Sequence, residues 1–120
     1  MEDDFSFDEK TLMSILLCSE DIDEVTVEKV FNHVPDKMLL DRHSKGVYSV
    51  IKELYHADDR ELLGSHHFLH KVSQMASMEV PNGDVYLEDI EHFWSPMATL
   101  NVWIKKIQKR YFDQRFRKCK

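Results

Sequence analysis

The run from Ser95 to Lys118, SPMATLNVWIKKIQKRYFDQRFRK, constrains this chain more than any other stretch. Ser95 can cap a helix, and Pro96 suits the first helical position, where a missing N–H costs nothing. Met97, Leu100, Ile104, Ile107 and Tyr111 then recur at intervals of three and four, which lays a narrow apolar stripe along one side. A stripe of that kind is covered by another helix.

The same helix turns basic along its length. From Lys105 onward, Lys105, Lys106, Lys109, Arg110, Arg115, Arg117, Lys118 and Lys120 stand against a single acid, Asp113, so the segment carries +7. The whole chain is −6, which leaves −13 on residues 1–104. Tyr111, Phe112 and Phe116 interleave with these cations, a mixture able to stack bases and neutralise phosphates. The other reading is that the aromatics continue the packing face while the cations suit a helix C-terminus and snorkel around it. The acidic body would repel a polyanion, which favours packing.

At 120 residues the chain is read as one domain, long enough to bury a core without staples. Gly and Pro number three each, too few for a turn-rich β architecture, so helix is the default. Cys18 falls in an apolar run and Cys119 near the C-terminus, a buried thiol and an exposed one with no disulfide expected between them. No charged n-region precedes an apolar run at the N-terminus, and no run reaches the roughly 18 apolar residues of a membrane span. A soluble, cytoplasmic protein is the expectation.

Along the chain, the lead MEDDFSF holds two aromatics able to fold back onto the body. Asp8 can cap a helix from Glu9 with Leu12, Met13, Ile15 and Leu16 buried; the run through Leu17 and Cys18 is apolar nearly all round, which makes this helix central. Thr26 can cap a second helix, with Val27, Val30, Phe31 and Val34 at helical spacing. Residues 36–43 read either as a turn of helix or as an extended connector. Ser44 can cap a third helix whose Val47, Tyr48, Ile51, Leu54 and Tyr55 face in. A fourth, from about Ser65, carries Phe68, Leu69, Val72 and Met75. Pro81 and Asn82-Gly83 make the strongest turn, since this pair favours positive φ. Asp84 can cap a fifth helix with Val85, Tyr86, Leu87, Ile90 and Phe93. The connection from Trp94 to Ser95-Pro96 is so short that the last two helices are expected to pair as an αα-hairpin.

Chemistry is sparsely signalled. His66 and His70 share a helix face at the i, i+4 spacing of two zinc ligands, with His67 beside them, but Gly64, Ser65, Phe68 and Lys71 supply no third ligand. Glu2, Asp3, Asp4, then Glu20, Asp21, Asp23, Glu24, then Asp58, Asp59 and Glu61 each sit at a terminus or a break between helices, where negative charge favours the next N-terminus. There is no phosphate-binding loop, dinucleotide fingerprint or nucleophile elbow. Neither catalysis, cofactor nor metal is expected.

The order of segments carries more information than any one residue. EKTLMSILL, an acidic connector, VEKVFNHV, a connector to HSKGVYSVIKELY, a further helix, then VYLEDIEHFWSP and WIKKIQKR resemble the N-terminal domain of DnaB-type replicative DNA helicases over about residues 8–118. Glu9, Leu12, Ile15, Leu16 and Leu17 match that family's first helix. His43, Val47, Ile51 and Leu54 match its third, and Tyr86, Leu87, Ile90, Ser95 and Pro96 its Y-L-x-x-L segment and turn. Where the family carries a Gly and a P-V-D-like element, this chain has HADDRELLGSHH, and no Walker A motif is present. The resemblance therefore implies either an excised N-terminal domain or a stand-alone protein built on one, without unwinding activity of its own.

What the resemblance implies is an all-α domain of five to seven helices: a globule of about four helices over 8–76 and a C-terminal αα-hairpin over 84–118. In that family such hairpins pair between subunits in a collar that docks primase and helicase loader. By that analogy Val85, Phe93, Met97, Leu100, Ile104, Ile107 and Tyr111 are the expected dimer face, and a replicative helicase, primase or loader is the partner. A rival expectation is a small DNA-binding regulator using Lys105, Lys109, Arg110, Arg115, Arg117 and Lys118. A third is a metal-dependent enzyme using His66 and His70.

Overall fold

Helix α1 (Asp4–Cys18) is the element the others cover. Leu12, Met13, Ile15, Leu16 and Leu17 all lie between 0% and 3% exposed, so a run apolar on nearly every side is buried on nearly every side. The computed structural model describes residues 4–19, 22–57, 66–93 and 95–119, the side chains of residues 4–6, 66 and 114–119 excepted. Within these residues the secondary structure is entirely helical: α2 (Glu24–His33), α3 (Arg42–His56), α4 (His66–Glu79), α5 (Gly83–Ile90) and α6 (Leu100–Cys119), with 3-10 turns at Asp36–Met38, Glu91–Phe93 and Met97–Thr99. The fold is all-α.

The helix starts differ from those the sequence suggests. Asp8 lies inside α1, which already runs from Asp4, and its carboxylate is turned to Arg110 of α6. Asp23, not Thr26, caps α2, accepting from Thr26 N at 2.9 Å. Asp41, not Ser44, caps α3, accepting from Ser44 N at 3.1 Å. In both cases the cap lies three residues before the residue proposed, which is itself the N–H donor that the cap satisfies. Thr26 hydrogen bonds hold the Asp23 carboxyl below the usual carboxylate range. The expected start of α4 at Ser65 lies outside the described residues.

The inward faces follow the periodicity. Val27, Val30 and Val34 are buried, as are Val47, Tyr48, Ile51, Leu54 and Tyr55, while Phe31 packs half-buried against them. The Tyr48 hydroxyl donates to Val34 O at 2.7 Å, just past the end of α2, and reaches at 3.3 Å Val30 O, which already accepts from Val34 N at 2.8 Å. Residues 36–41 take both of the readings open for them: a 3-10 turn at Asp36–Met38, then an extended connector that buries Leu39.

At the Pro81–Gly83 turn Asn82 takes φ 59°, the left-handed conformation, and Gly83 N donates to Val80 O at 2.9 Å. A Cβ on Gly83 would sit 2.4 Å from Ala76 O. Glycine therefore lets α5 fold tightly back onto α4, its most extensive neighbour.

The C-terminal hairpin is where packing departs most from expectation. α5 pairs with α4, and α6 lies along α1, the most extensive helix contact in the fold. The two 3-10 turns around Ser95-Pro96 redirect the chain, with Pro96 preceding a 3-10 turn instead of opening α6. The physical reason lies in where apolar surface is buried: Leu100, Ile104 and Ile107 of α6 are covered along α1, whereas Tyr86, Leu87 and Ile90 of α5 are buried in the globule beside α4.

Candidate functional site

The seven apolar residues expected to form a dimer seam are divided by the fold. Leu100, Ile104 and Ile107 are 5%, 3% and 2% exposed within the chain itself. They are core residues that cover α1, and a seam through them would require α6 to leave it. Met97 and Tyr111 are half-buried against the same core. Val85 and Phe93 stand apart from the stripe and reach the surface, Val85 with 61% of its area in water.

That surface is built by α1, α5, the Glu91–Phe93 turn and the first turns of α6. Phe7 of α1 is half exposed, yet it packs edge-on against Phe93 with ring centres 5.3 Å apart and lies 5.8 Å from Trp103 of α6. Trp103 is fixed in turn, its Nε1 donating to Thr99 Oγ1 at 3.1 Å. Two ammonium groups sit over the rings: Lys10 Nζ at 5.3 Å from Phe93 and Lys106 Nζ at 4.8 Å from Trp103. The aromatics are thus held in a defined arrangement at the surface, rimmed by cations.

Lys10 also belongs to a groove of about 600 Å³ that continues from this patch between α5 and the start of α3. Its wall is Tyr86, on which the His43 imidazole lies nearly parallel, 6.2 Å centre to centre. Val85, Asp41, Asn82, Glu88, Asp89 and His92 complete the rim, and Lys10 Nζ donates to Asp89 Oδ2 at 2.5 Å. Below the rim a buried polar chain sets the geometry. Tyr86 and Ser44 share a hydrogen bond of 2.5 Å, and the Ser44 hydroxyl donates to Asp41 Oδ2 at 3.2 Å. Glu9, 1% exposed, accepts from Leu40 N at 2.8 Å and from Asp41 N at 3.1 Å. Burial raises the Glu9 carboxyl to about 7, with Asp41 adding to the rise and the two N–H bonds and Arg110 opposing it. Burial also pushes the Tyr86 hydroxyl well up, so it remains a hydrogen-bond donor.

The basic residues behave otherwise. Lys105 and Lys109 are exposed, but Arg110 turns inward and donates from Nη2 to the buried Asp8 Oδ2 at 2.5 Å. Arg110 is therefore an inter-helix tie and not a surface cation. The side chains of Arg115, Arg117 and Lys118 lie outside the described ones. His67 and His70 are exposed on α4, and the His66 side chain is outside the described set. Among the described residues no three His, Cys, Asp or Glu side chains converge as a metal would require. Cys18 is a half-buried thiol raised by that burial. Among the described residues no helix is long and apolar enough to cross a membrane.

Phe7, Lys10, His43 and Trp103 were not singled out as site residues in the sequence. The available signal was the aromatic content of MEDDFSF, of which Phe7 packs against Phe93 and Trp103 from within α1. Comparison with models of protein families, with curated proteins and with solved structures returns no match.

Proposed function

We propose that this chain is a non-catalytic docking module of the DNA replication machinery, working as the N-terminal collar domain of DnaB-type helicases does, by binding a replicative helicase, a primase or a helicase loader. The observation that carries the docking role is the Phe7–Phe93–Trp103 patch: three aromatic rings held together at a surface, on a chain whose helices have already filled their own core. Aromatic clusters rimmed by charge are a recurrent signature of protein interfaces, because their burial brings a large gain at little cost in side-chain entropy. The replication assignment rests on the resemblance in segment order. Action in the cytoplasm and self-association belong to the same reading. With Leu100, Ile104 and Ile107 committed to α1, a second copy would meet the chain through Val85, Phe93 and the neighbouring aromatics.

The test is capture of purified helicase, primase and loader on the immobilised chain, wild type beside Phe7→Ala and Trp103→Ala. Retention of one of the three by wild type and its loss in both variants, at unchanged circular dichroism, is the expected result. Retention of none rejects the replication assignment. Sedimentation equilibrium at high concentration reads self-association separately, and a monomer there removes that element alone.

A further inference from the structure

On the side of α6 away from Phe7, the helix runs beside α2 and the Asp36–Met38 turn, and two clefts open along this seam. One, of about 320 Å³, lies between Lys29 and Asn101. The other, of about 520 Å³, has His33, Lys37, Tyr111 and Phe112 around it. The two helices are tied together there by Gln108 Nε2 donating to His33 O at 2.8 Å.

Three features set this seam apart. Among the described residues neither cleft is lined by an Asp or a Glu, on a chain whose net charge is −6. Asp36, the acid next to Pro35 and Lys37, is turned away to the Lys52 ammonium. Lys105, Lys109 and Phe112 then share one face of α6 at i, i+4 and i+7, and all three are exposed, as are Lys29 and Lys37 across the seam. Finally, Phe112 keeps 48% of its area in water while its ring is braced edge-on by Tyr111 at 5.6 Å. Lys29 and Lys37 line the clefts, a braced aromatic lines one of them, and Lys105 and Lys109 stand on the α6 face that carries Phe112, two turns and one turn before it. This matches what single-stranded nucleic acid needs, charge spaced along the backbone and a flat ring for a base.

We infer that the α2–α6 seam binds single-stranded nucleic acid, with Phe112 stacking a base and Lys29, Lys37, Lys105 and Lys109 facing the phosphates. The acidic remainder of the surface confines the strand to the seam, since the same polyanion is repelled elsewhere.

The experiment is fluorescence anisotropy of a labelled 20-mer of deoxythymidine, titrated with the full chain at 25 mM and 150 mM salt. Binding that weakens with salt, at a log–log slope of about −2 to −3 for three to four neutralised phosphates, is expected. Phe112→Ala and Lys109→Glu should each weaken it about tenfold. Lys45→Glu, the same charge change on exposed Lys45 of α3, should weaken it less than twofold. All three side chains are exposed, and matching thermal melts establish that each variant is folded. Flat anisotropy up to tens of micromolar protein at 25 mM salt overturns the inference, as does equal loss in Lys45→Glu. Competition by polyglutamate as strong as that by unlabelled oligonucleotide, with Phe112→Ala neutral, overturns it in favour of an acidic protein segment.

Discussion

Asp8 and Arg110, 102 positions apart in the chain, meet at 2.5 Å between carboxylate and guanidinium, with the Asp8 side chain only 7% exposed. This pair fixes α6 against α1 at a point where both helices would otherwise present polar groups to the core. A charged group so placed is costly to leave alone. Asp8→Ala is therefore expected to destabilise the fold by about 2 kcal/mol, since Arg110 keeps partial access to water. Urea unfolding measures it, and a loss below about 0.5 kcal/mol would mean that the pair contributes little.

Glu9 sets a pH dependence whose sign follows from burial. Its carboxyl is raised from 4.5 to about 7, so the folded state holds its proton more tightly than the unfolded chain does. The associated stability is complete below about 4.5, declines as pH rises, and is gone above about 7. Over that window the stability of Glu9→Gln relative to wild type should rise by about 3 kcal/mol, the linkage equivalent of such a shift. Chemical denaturation of both proteins from pH 4.5 to 8 reads the difference directly. A difference that stays constant with pH would show that Glu9 titrates alike in the folded and the unfolded chain.

Ile104 tests where the α6 stripe is used. At 3% exposure in the isolated chain, Ile104→Ala should cost about 3 kcal/mol at any protein concentration, because the cavity opens against the chain's own core. A destabilisation that grows with protein concentration would instead place Ile104 between copies.

Gly83 tests the α4–α5 turn. A methyl there would meet Ala76 O at 2.4 Å, and backbone cannot move aside as a flexible side chain would. Gly83→Ala is expected to lower stability by about 2 kcal/mol through overpacking, visible as a fall in Tm. An unchanged Tm would show that α5 can shift away from α4.

The local chemistry of this chain was legible residue by residue. Helical class followed from apolar spacing and scarce Gly and Pro, and the Pro81–Gly83 turn followed from Asn82, which does adopt positive φ. The inward faces of α2 and α3 were read correctly because a side chain's place on a helix depends only on its own backbone. The caps of α2 and α3 were displaced by three residues, since Asp23 and Asp41 compete with Thr26 and Ser44 on nearly equal local terms; that of α5 moved two, from Asp84 to Asn82, because the turn there places Asn82 in the left-handed conformation.

What only the tertiary structure decided was which surfaces meet. The stripe of Leu100, Ile104 and Ile107 required a cover, but apolar burial is non-directional and does not name the cover; α1, apolar on nearly every side, takes that place. The same step turned Arg110 from a tail cation into the partner of Asp8, and left Phe7, Phe93 and Trp103 together at the surface. Periodicity thus settled what each helix would bury. Long-range packing, which joins residues with no local relationship, settled what remained outside to be recognised.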